Sequence, residues 1–353
     1  MQQRLFGTTD LKVSELGLGC SPLGGGLFRN DRQESLRVVS SAIERGVNFF
    51  DTADNYSLGE SERLLGLALR GRRAQAVIAT KVGARYGVAD IWLLKARPVL
   101  RPLKGLLGGA RRSINLVRDK RKHYDFSAAH LQRAVESSLR RLGTDYIDLY
   151  QLYNPSAEDL LDFAMGDTLE KLRAAGKIRY FGITANHVRD ALPALECKSI
   201  ASVQLPVSLL DQEGLASFLE LARARGLAII GSTPLGQGLL TDAQGTTKAD
   251  ESSHFTVEQI SARRRLMEAY RAQYVTPDRS LAQLALRFVL QLPGVSVAVP
   301  SAVSLRELEE NLGALLTAQL TDREISELVE LPATHSGDRI LPGQGGVDGH
   351  ARS

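Results

Sequence analysis

Eight short apolar runs, at 15–20, 47–51, 76–81, 145–152, 178–184, 202–205, 227–231 and 295–300, recur along the chain, and most are followed by a stretch of helical periodicity. The runs are rich in Val, Ile and Phe, the residues that fill parallel strands covered on both faces. The helical stretches fall at 33–45, 60–70, 127–142, 158–175, 187–194 and 212–225, with a pair at 256–274 and 278–291. Leu36, Val39 and Ile43 share one face of the first, and Leu64, Leu65 and Ala68 one face of the second. Gly46, Gly71, Gly176 and Gly226 stand where helices should stop. Eight strand-then-helix units predict a closed parallel barrel, an α/β (β/α)8 TIM-type fold. An open doubly wound sheet would carry a Gly-x-Gly-x-x-Gly turn directly between strand and helix, and none stands there. Two short runs around a turn at 7–10 predict a hairpin over 3–14, ahead of the first core strand.

In such a barrel the strand ends converge on one mouth. Asp51, Lys81, Tyr153, Thr184 and Gln204 all close apolar runs and should meet there. The second run is the most pointed: Val47-Asn48-Phe49-Phe50 is apolar enough to be buried, then turns polar at Asp51 and reaches Tyr56 five residues later. Taken alone, Asp51 and Asp54 could equally cap the helix that follows. Composition narrows the class further. Aromatics at 6% and abundant helix formers disfavour an all-β fold, and a net charge of +4 is no nucleic-acid signature. Cys20 and Cys197 show no paired spacing, and His130, His187, His254 and His350 no ligand spacing, so neither a disulfide framework nor a metal site is expected. The first residues lack an apolar export core, and no stretch suits a bilayer span, so a reduced cytoplasmic protein is expected.

Asp51-Thr52-Ala53-Asp54-Asn55-Tyr56 with Gly59-Glu60-Ser61-Glu62, followed by Lys81, resembles the signature of the aldo-keto reductases. The stretches 142–150, 234–240 and 308–312 agree in chain order, so the resemblance runs from about residue 4 to about residue 330. It implies a (β/α)8 barrel that binds NADPH, less often NADH, without a Rossmann domain and reduces aldehydes and ketones to alcohols. Hydride delivery leaves charge on the carbonyl oxygen, which calls for a proton donor. A phenol serves poorly unless a cation stabilises its phenolate. By resemblance Tyr56 is the general acid, Lys81 its tuner and Asp51 the anion that holds Lys81.

The family usually has a histidine at the end of the fourth strand, donating to the substrate oxygen, and here Tyr153 occupies that place. His123 and Tyr124 are candidate substitutes on the loop leading into helix 127–142. The resemblance assigns cofactor contacts to Thr184 and Gln204 at the nicotinamide amide, with Ala185 in place of the usual amide side chain and Asn186 next. Ser232 holds the position of a stacking residue, and Leu235, Gln237 and Gly238 follow it. Ser301, Arg306, Glu310 and Asn311 belong to the adenosine-phosphate end. NADP(H) is favoured by the resemblance. Arg306 is the sole basic residue there and Glu307 adjoins it, which keeps NAD(H) open.

The barrel is expected over 1–333, with a tail at 334–353 and an insertion at 82–126 over the mouth. The insertion's middle, 91–122, is apolar and basic, with Asp119 its sole acid. Long loops of this kind serve as lids or lack order, and the apolar residues favour order. Its charge suits an anionic substrate, an anionic carrier or an acidic membrane surface; a solvated amphipathic lid is the simpler reading. The leading function is NAD(P)H-dependent reduction of an aldehyde or ketone, sugar-like or anionic, or the reverse oxidation. The alternatives are a redox-neutral epimerase with retained cofactor and a catalytically weak cofactor-sensing scaffold.

Overall fold

A computed structural model describes residues 1–24, 32–85, 123–242, 247–251 and 255–335. The middle and most of the insertion, His254, His350 and nearly all of the tail lie outside the described residues.

The chain opens with the expected antiparallel hairpin, β1 (Gln3–Leu5) on β2 (Lys12–Ser14). The parallel sheet then runs through β3 (Leu18–Gly19), β4 (Phe49–Asp51) and β5 (Val77–Val82). The short strands β6 (Ala84–Arg85) and β7 (His123–Tyr124) pair as a second hairpin at the base of the insertion. The sheet resumes with β8 (Ile147–Tyr153), β9 (Ile178–Thr184), β10 (Ser202–Pro206), β11 (Ala228–Ser232) and β12 (Val295–Val299). Neighbours follow chain order from β3 to β12 once the insertion hairpin is set aside. Bridges Leu16↔Ala298 and Gly19↔Ser301 join the last strand to the first, so the barrel closes.

The two-residue period of a strand divides this barrel into two cores. Phe49, Val77, Ala79, Leu149, Ala228, Ile230, Val297 and Val299 point inward and fill the lumen. Phe6, Leu11 and Val13 of the hairpin enter the same cluster and plug the lower end. The alternate residues, Phe50, Ile78, Tyr150, Ile183, Val203 and Ile229 among them, pack outward against the helices. Parity therefore decides which polar residues reach the mouth. Asp51 continues the inward series of Phe49, Lys81 that of Ala79, and Gln151 and Tyr153 that of Leu149.

Helices end at Gly46, Gly71, Gly176 and Gly226, each with positive φ, as expected. The stretch expected as one helix over 158–175 is two, Ala157–Leu160 and Phe163–Ala174. Asp162 breaks it: its carboxylate accepts the N–H groups of Ala164 and Met165 and starts a new helix. Among the described residues no helix is long and apolar enough to cross a membrane. His130 and His187 are half-buried.

Candidate active site

Five non-glycine residues among those described have left-handed backbone: Ser57, Leu58, Asn154, Thr233 and Gln237. All five lie on loops that leave carboxyl ends of strands, after β4, β8 and β11. Such conformations cost free energy, and they collect where function constrains the chain.

The loop after β4 carries the centre of the site. Lys81 Nζ donates to Asp51 Oδ1 at 2.6 Å and to the carbonyl of Thr52 at 2.9 Å. The same ammonium lies 4.9 Å from the centre of the Tyr56 ring. Ser57 and Leu58 take left-handed backbone in the single 3-10 turn Tyr56–Gly59 that follows. The loop is held from behind: Thr52 and Ser61 hydroxyls share a 2.9 Å hydrogen bond, and Ser61 donates to the carbonyl of Cys20 at 2.7 Å. Asp51 is thus spent on Lys81 and on the amides described next, and the capping role open to it from sequence is not the one it takes.

Asp51 is buried, and two amides share it with the lysine. Gln204 Nε2 donates to Asp51 Oδ2 at 3.1 Å, and Gln151 Nε2 to Oδ1 at 3.4 Å. Gln151 also donates to Gln204 Oε1 at 2.9 Å, while its own Oε1 is buried without a partner. Gln151 was not among the residues expected from sequence. Its signal was present: it is the polar residue two before Tyr153, on the same parity of β8.

A second layer of charge lies behind the lysine. Glu62 is fully buried, accepting from Thr80 Oγ1 at 2.6 Å and from Arg141 Nε at 2.6 Å. Burial first, and the charge of Glu62 second, push the carboxyl of Asp54 up to about 7, against the opposing pull of Arg141 and Lys81. Burial, then the charge of Asp51, push the Cys20 thiol well above its usual range, so it stays protonated and inert.

At the rim, Tyr153 stacks on Tyr124 with ring centres 6.5 Å apart, and Tyr124 on Phe126 at 6.4 Å. Gly83 makes room for this ladder: a Cβ there would lie 2.2 Å from the Phe126 ring, on a backbone with φ of +111°. Of the two candidate substitutes for the usual histidine, Tyr124 thus meets Tyr153, while His123 is exposed on β7.

The residues expected at a cofactor are divided between two regions. Gln204 joins the Asp51 cluster. Thr184, beside Tyr153 in the β8–β9 register, donates its hydroxyl to Asn154 Oδ1 at 3.0 Å and accepts the Asn154 N–H at 3.1 Å. Ser232 ends β11 next to Pro206, and the half-buried Leu235, Gln237 and Gly238 follow on the strained loop. Further round, Asn311 is buried and donates to the carbonyl of Ser301 at 3.3 Å. Glu310 is exposed and accepts from the hydroxyl of Ser280; Arg306 is exposed as well. Glu307 folds back so that its Oε2 accepts the Val303 N–H at 2.9 Å. The chemistry of these groups suits a nicotinamide dinucleotide: the Gln204 amide and the Thr184 hydroxyl at the strand ends, and the polar stretch from Ser301 to Asn311 further round. Among the described residues no group of His, Cys, Asp and Glu could hold a metal ion.

Comparison with known proteins agrees with this geometry. The model of the Aldo/keto reductase family matches residues 15–333. The chain is 30% identical over 334 residues to an uncharacterized oxidoreductase, YqkF, of Bacillus subtilis, covering 93% of this chain and 95% of that one. It is 29% identical to an NADH-specific methylglyoxal reductase of Escherichia coli, with 94% and 100% covered. Among solved structures, the holo form of aldo-keto reductase AKR11C1 from Bacillus halodurans is similar with a TM-score of 0.74 and 30% identity, covering 94% and 96%. With the barrel, the buried aspartate–lysine pair beneath a tyrosine and a match across nearly the whole chain, the protein belongs to the aldo/keto reductase family and is an oxidoreductase of that type.

Proposed function

We propose that this enzyme reduces a small aldehyde or ketone to the alcohol, with Tyr56 as the proton donor. One observation carries the reading: a buried lysine, paired with Asp51 at 2.6 Å, lies 4.9 Å from the Tyr56 ring. A nicotinamide cofactor, when bound, supplies the hydride. As the new C–H bond forms at the carbonyl carbon, the C=O electron pair moves to oxygen, and that oxygen takes the Tyr56 proton. Lys81 stabilises the phenolate left behind, and Asp51 keeps the ammonium under the ring. Solvent then returns a proton to Tyr56. Tyr153 stands where a histidine usually orients the carbonyl, and its phenol is a neutral donor held by the Tyr124 stack. Gln204 and Thr184 would hold the nicotinamide amide, with Ser232, Leu235, Gln237 and Gly238 lining its approach. Ser301, Arg306, Glu310 and Asn311 would meet the adenosine end.

NADH is the better-supported cofactor. Glu307 places a carboxylate on the Val303 N–H, where a 2′-phosphate would need positive charge, and Arg306 is the sole cation of that stretch. The Escherichia coli relative is named for NADH specificity. Titration of nicotinamide fluorescence with NADH and NADPH, followed by oxidation of the bound cofactor against a panel of aldehydes and ketones, tests the reading. Binding of NADH ahead of NADPH and turnover of at least one carbonyl are expected. Failure to bind either cofactor would overturn it.

A further inference from the structure

Gln151 has no part in the chemistry described so far, yet it is fully buried at the centre of the cluster. Its two amide hydrogens are directed at two different acceptors. One goes to Gln204 Oε1 at 2.9 Å and the other to Asp51 Oδ1 at 3.4 Å. The first bond has a consequence for the second glutamine. Because Gln204 accepts through its oxygen, its nitrogen is turned toward Asp51, where it donates to Oδ2 at 3.1 Å. A Gln204 amide turned the other way would set its oxygen against a carboxylate. Gln151 and Asp51 together hold the Gln204 amide in this orientation, so that both oxygens of Asp51 receive amide hydrogens in addition to the lysine.

We propose that Gln151 is a positioning residue for proton transfer: directly and through Gln204, it draws part of the Asp51 charge away from Lys81 and leaves the ammonium's field for Tyr56. This deepens the reading of Tyr56 as the general acid and rests on it. The physical reason is competition for one anion. A carboxylate bound to three donors attracts each less strongly than a carboxylate bound to one. Without the amides, Asp51 would screen Lys81 more completely, and the Tyr56 phenolate would lose stabilisation. The design explains why Gln151 retains a buried, unpartnered Oε1, a cost that an apolar residue would avoid. The charged and titratable groups around the cluster are Asp51 on β4, Lys81 on β5, Cys20 after β3, Asp54 before Tyr56, and Glu62 with Arg141 on the flanking helices. Gln151 touches only Asp51 and Gln204 among the bonds described.

The test is ionisation of the Tyr56 phenol in the intact protein, read as the ultraviolet difference titration at alkaline pH between each protein and its Tyr56→Phe counterpart. This readout needs neither cofactor nor turnover. Gln151→Met keeps nearly the same volume and removes both donors. The Tyr56 phenol should then ionise about one pH unit higher than in the wild type. In an Asp51→Asn background the same change should shift the midpoint far less, because the anion through which Gln151 acts is gone. A thermal melt of each variant separates a folding defect from the effect sought. An unmoved midpoint in folded Gln151→Met protein, or an equal shift with and without Asp51, would overturn the proposal. Loss of cofactor binding by the wild type would overturn the functional reading instead, and the phenol titration would still decide this one.

Discussion

The barrel buries a carboxylate at each end, and the two are treated differently. At the lower end Asp148, the second residue of β8, sits between two arginines, Arg73 at 2.7 Å and Arg179 at 3.0 Å, and accepts the Ile78 N–H at 2.9 Å. Arg73 also binds the carbonyls of Ala76 and Tyr146, and Arg179 grips Asp10 of the hairpin with both its Nη2 contacts. Arg73 Nε donates to the Thr144 hydroxyl at 3.0 Å as well, so both arginines are tied down on several sides, and the guanidinium fork fixes the geometry. At the upper end Asp51 has a single lysine and two neutral amides, and the lysine has a phenol beside it. The lower cluster ties the hairpin plug to the barrel. The upper one leaves a cation available to a group that can give up a proton. The choice of partner, and not burial of the acid, separates a structural site from a chemical one.

The same substitution at the two ends gives the sharpest contrast. Asp148→Asn leaves two partly buried arginines short of their anion and should cost about 3–5 kcal/mol of stability, read from urea unfolding. Its kcat, measured on folded protein, should stay within about twofold, because Asp148 lies at the opposite end of the barrel from the mouth and shares no partner with Asp51. Asp51→Asn should do the reverse: kcat falls by about 10- to 100-fold, with a smaller loss of stability. Similar losses in both quantities from both variants would break the comparison.

A smaller effect comes from the acid behind the lysine. Asp54 ionises at about 7 in the fold, because burial and then Glu62 disfavour its charge, whereas an unfolded aspartate does so near 3.9. The folded pKa is the higher one, so the stabilisation from this group is complete below the unfolded value and is lost as pH rises through about 7. Asp54→Asn should therefore gain on the wild type as pH is raised from 5 to 8 in urea unfolding experiments, and then level off. A constant difference across that range would remove Asp54 from the account. The smallest effect is expected farthest from the chemistry: Glu307→Arg should shift cofactor preference toward NADPH by about tenfold, measured by fluorescence titration.

Most of the barrel was legible because burial in a closed sheet is written as short apolar runs and its helices as a 3.6-residue period with glycine stops. Asp51 and Lys81 were legible because each closes such a run. The break before Phe163 was not, since apolar spacing continues through it and only the carboxylate of Asp162 ends the first helix. Gln151 was missed for a different reason. The run at 145–152 reads as uniformly buried, and burial on both faces hides which face a residue takes. The parity Gln151 shares with Tyr153 pointed to the mouth, and the place of Leu149 in the lumen agrees with Gln151 turning toward Asp51. The stacking of Tyr153 on Tyr124 likewise depends on the β6–β7 pairing, which joins residues on the two sides of the insertion. The role expected of the basic stretch 91–122 falls outside the described residues.

In the mechanism proposed above, the cation beneath Tyr56 equips that phenol to protonate the nascent alcohol. Single-turnover oxidation of bound NADH by a reactive aldehyde, followed at the nicotinamide absorbance, addresses it in wild type and Tyr56→Phe protein. Removing the hydroxyl should slow hydride transfer by about 100-fold or more while NADH affinity holds. A Tyr56→Phe rate constant within about threefold of the wild type would contradict the account, since a general acid in the transition state contributes far more than that.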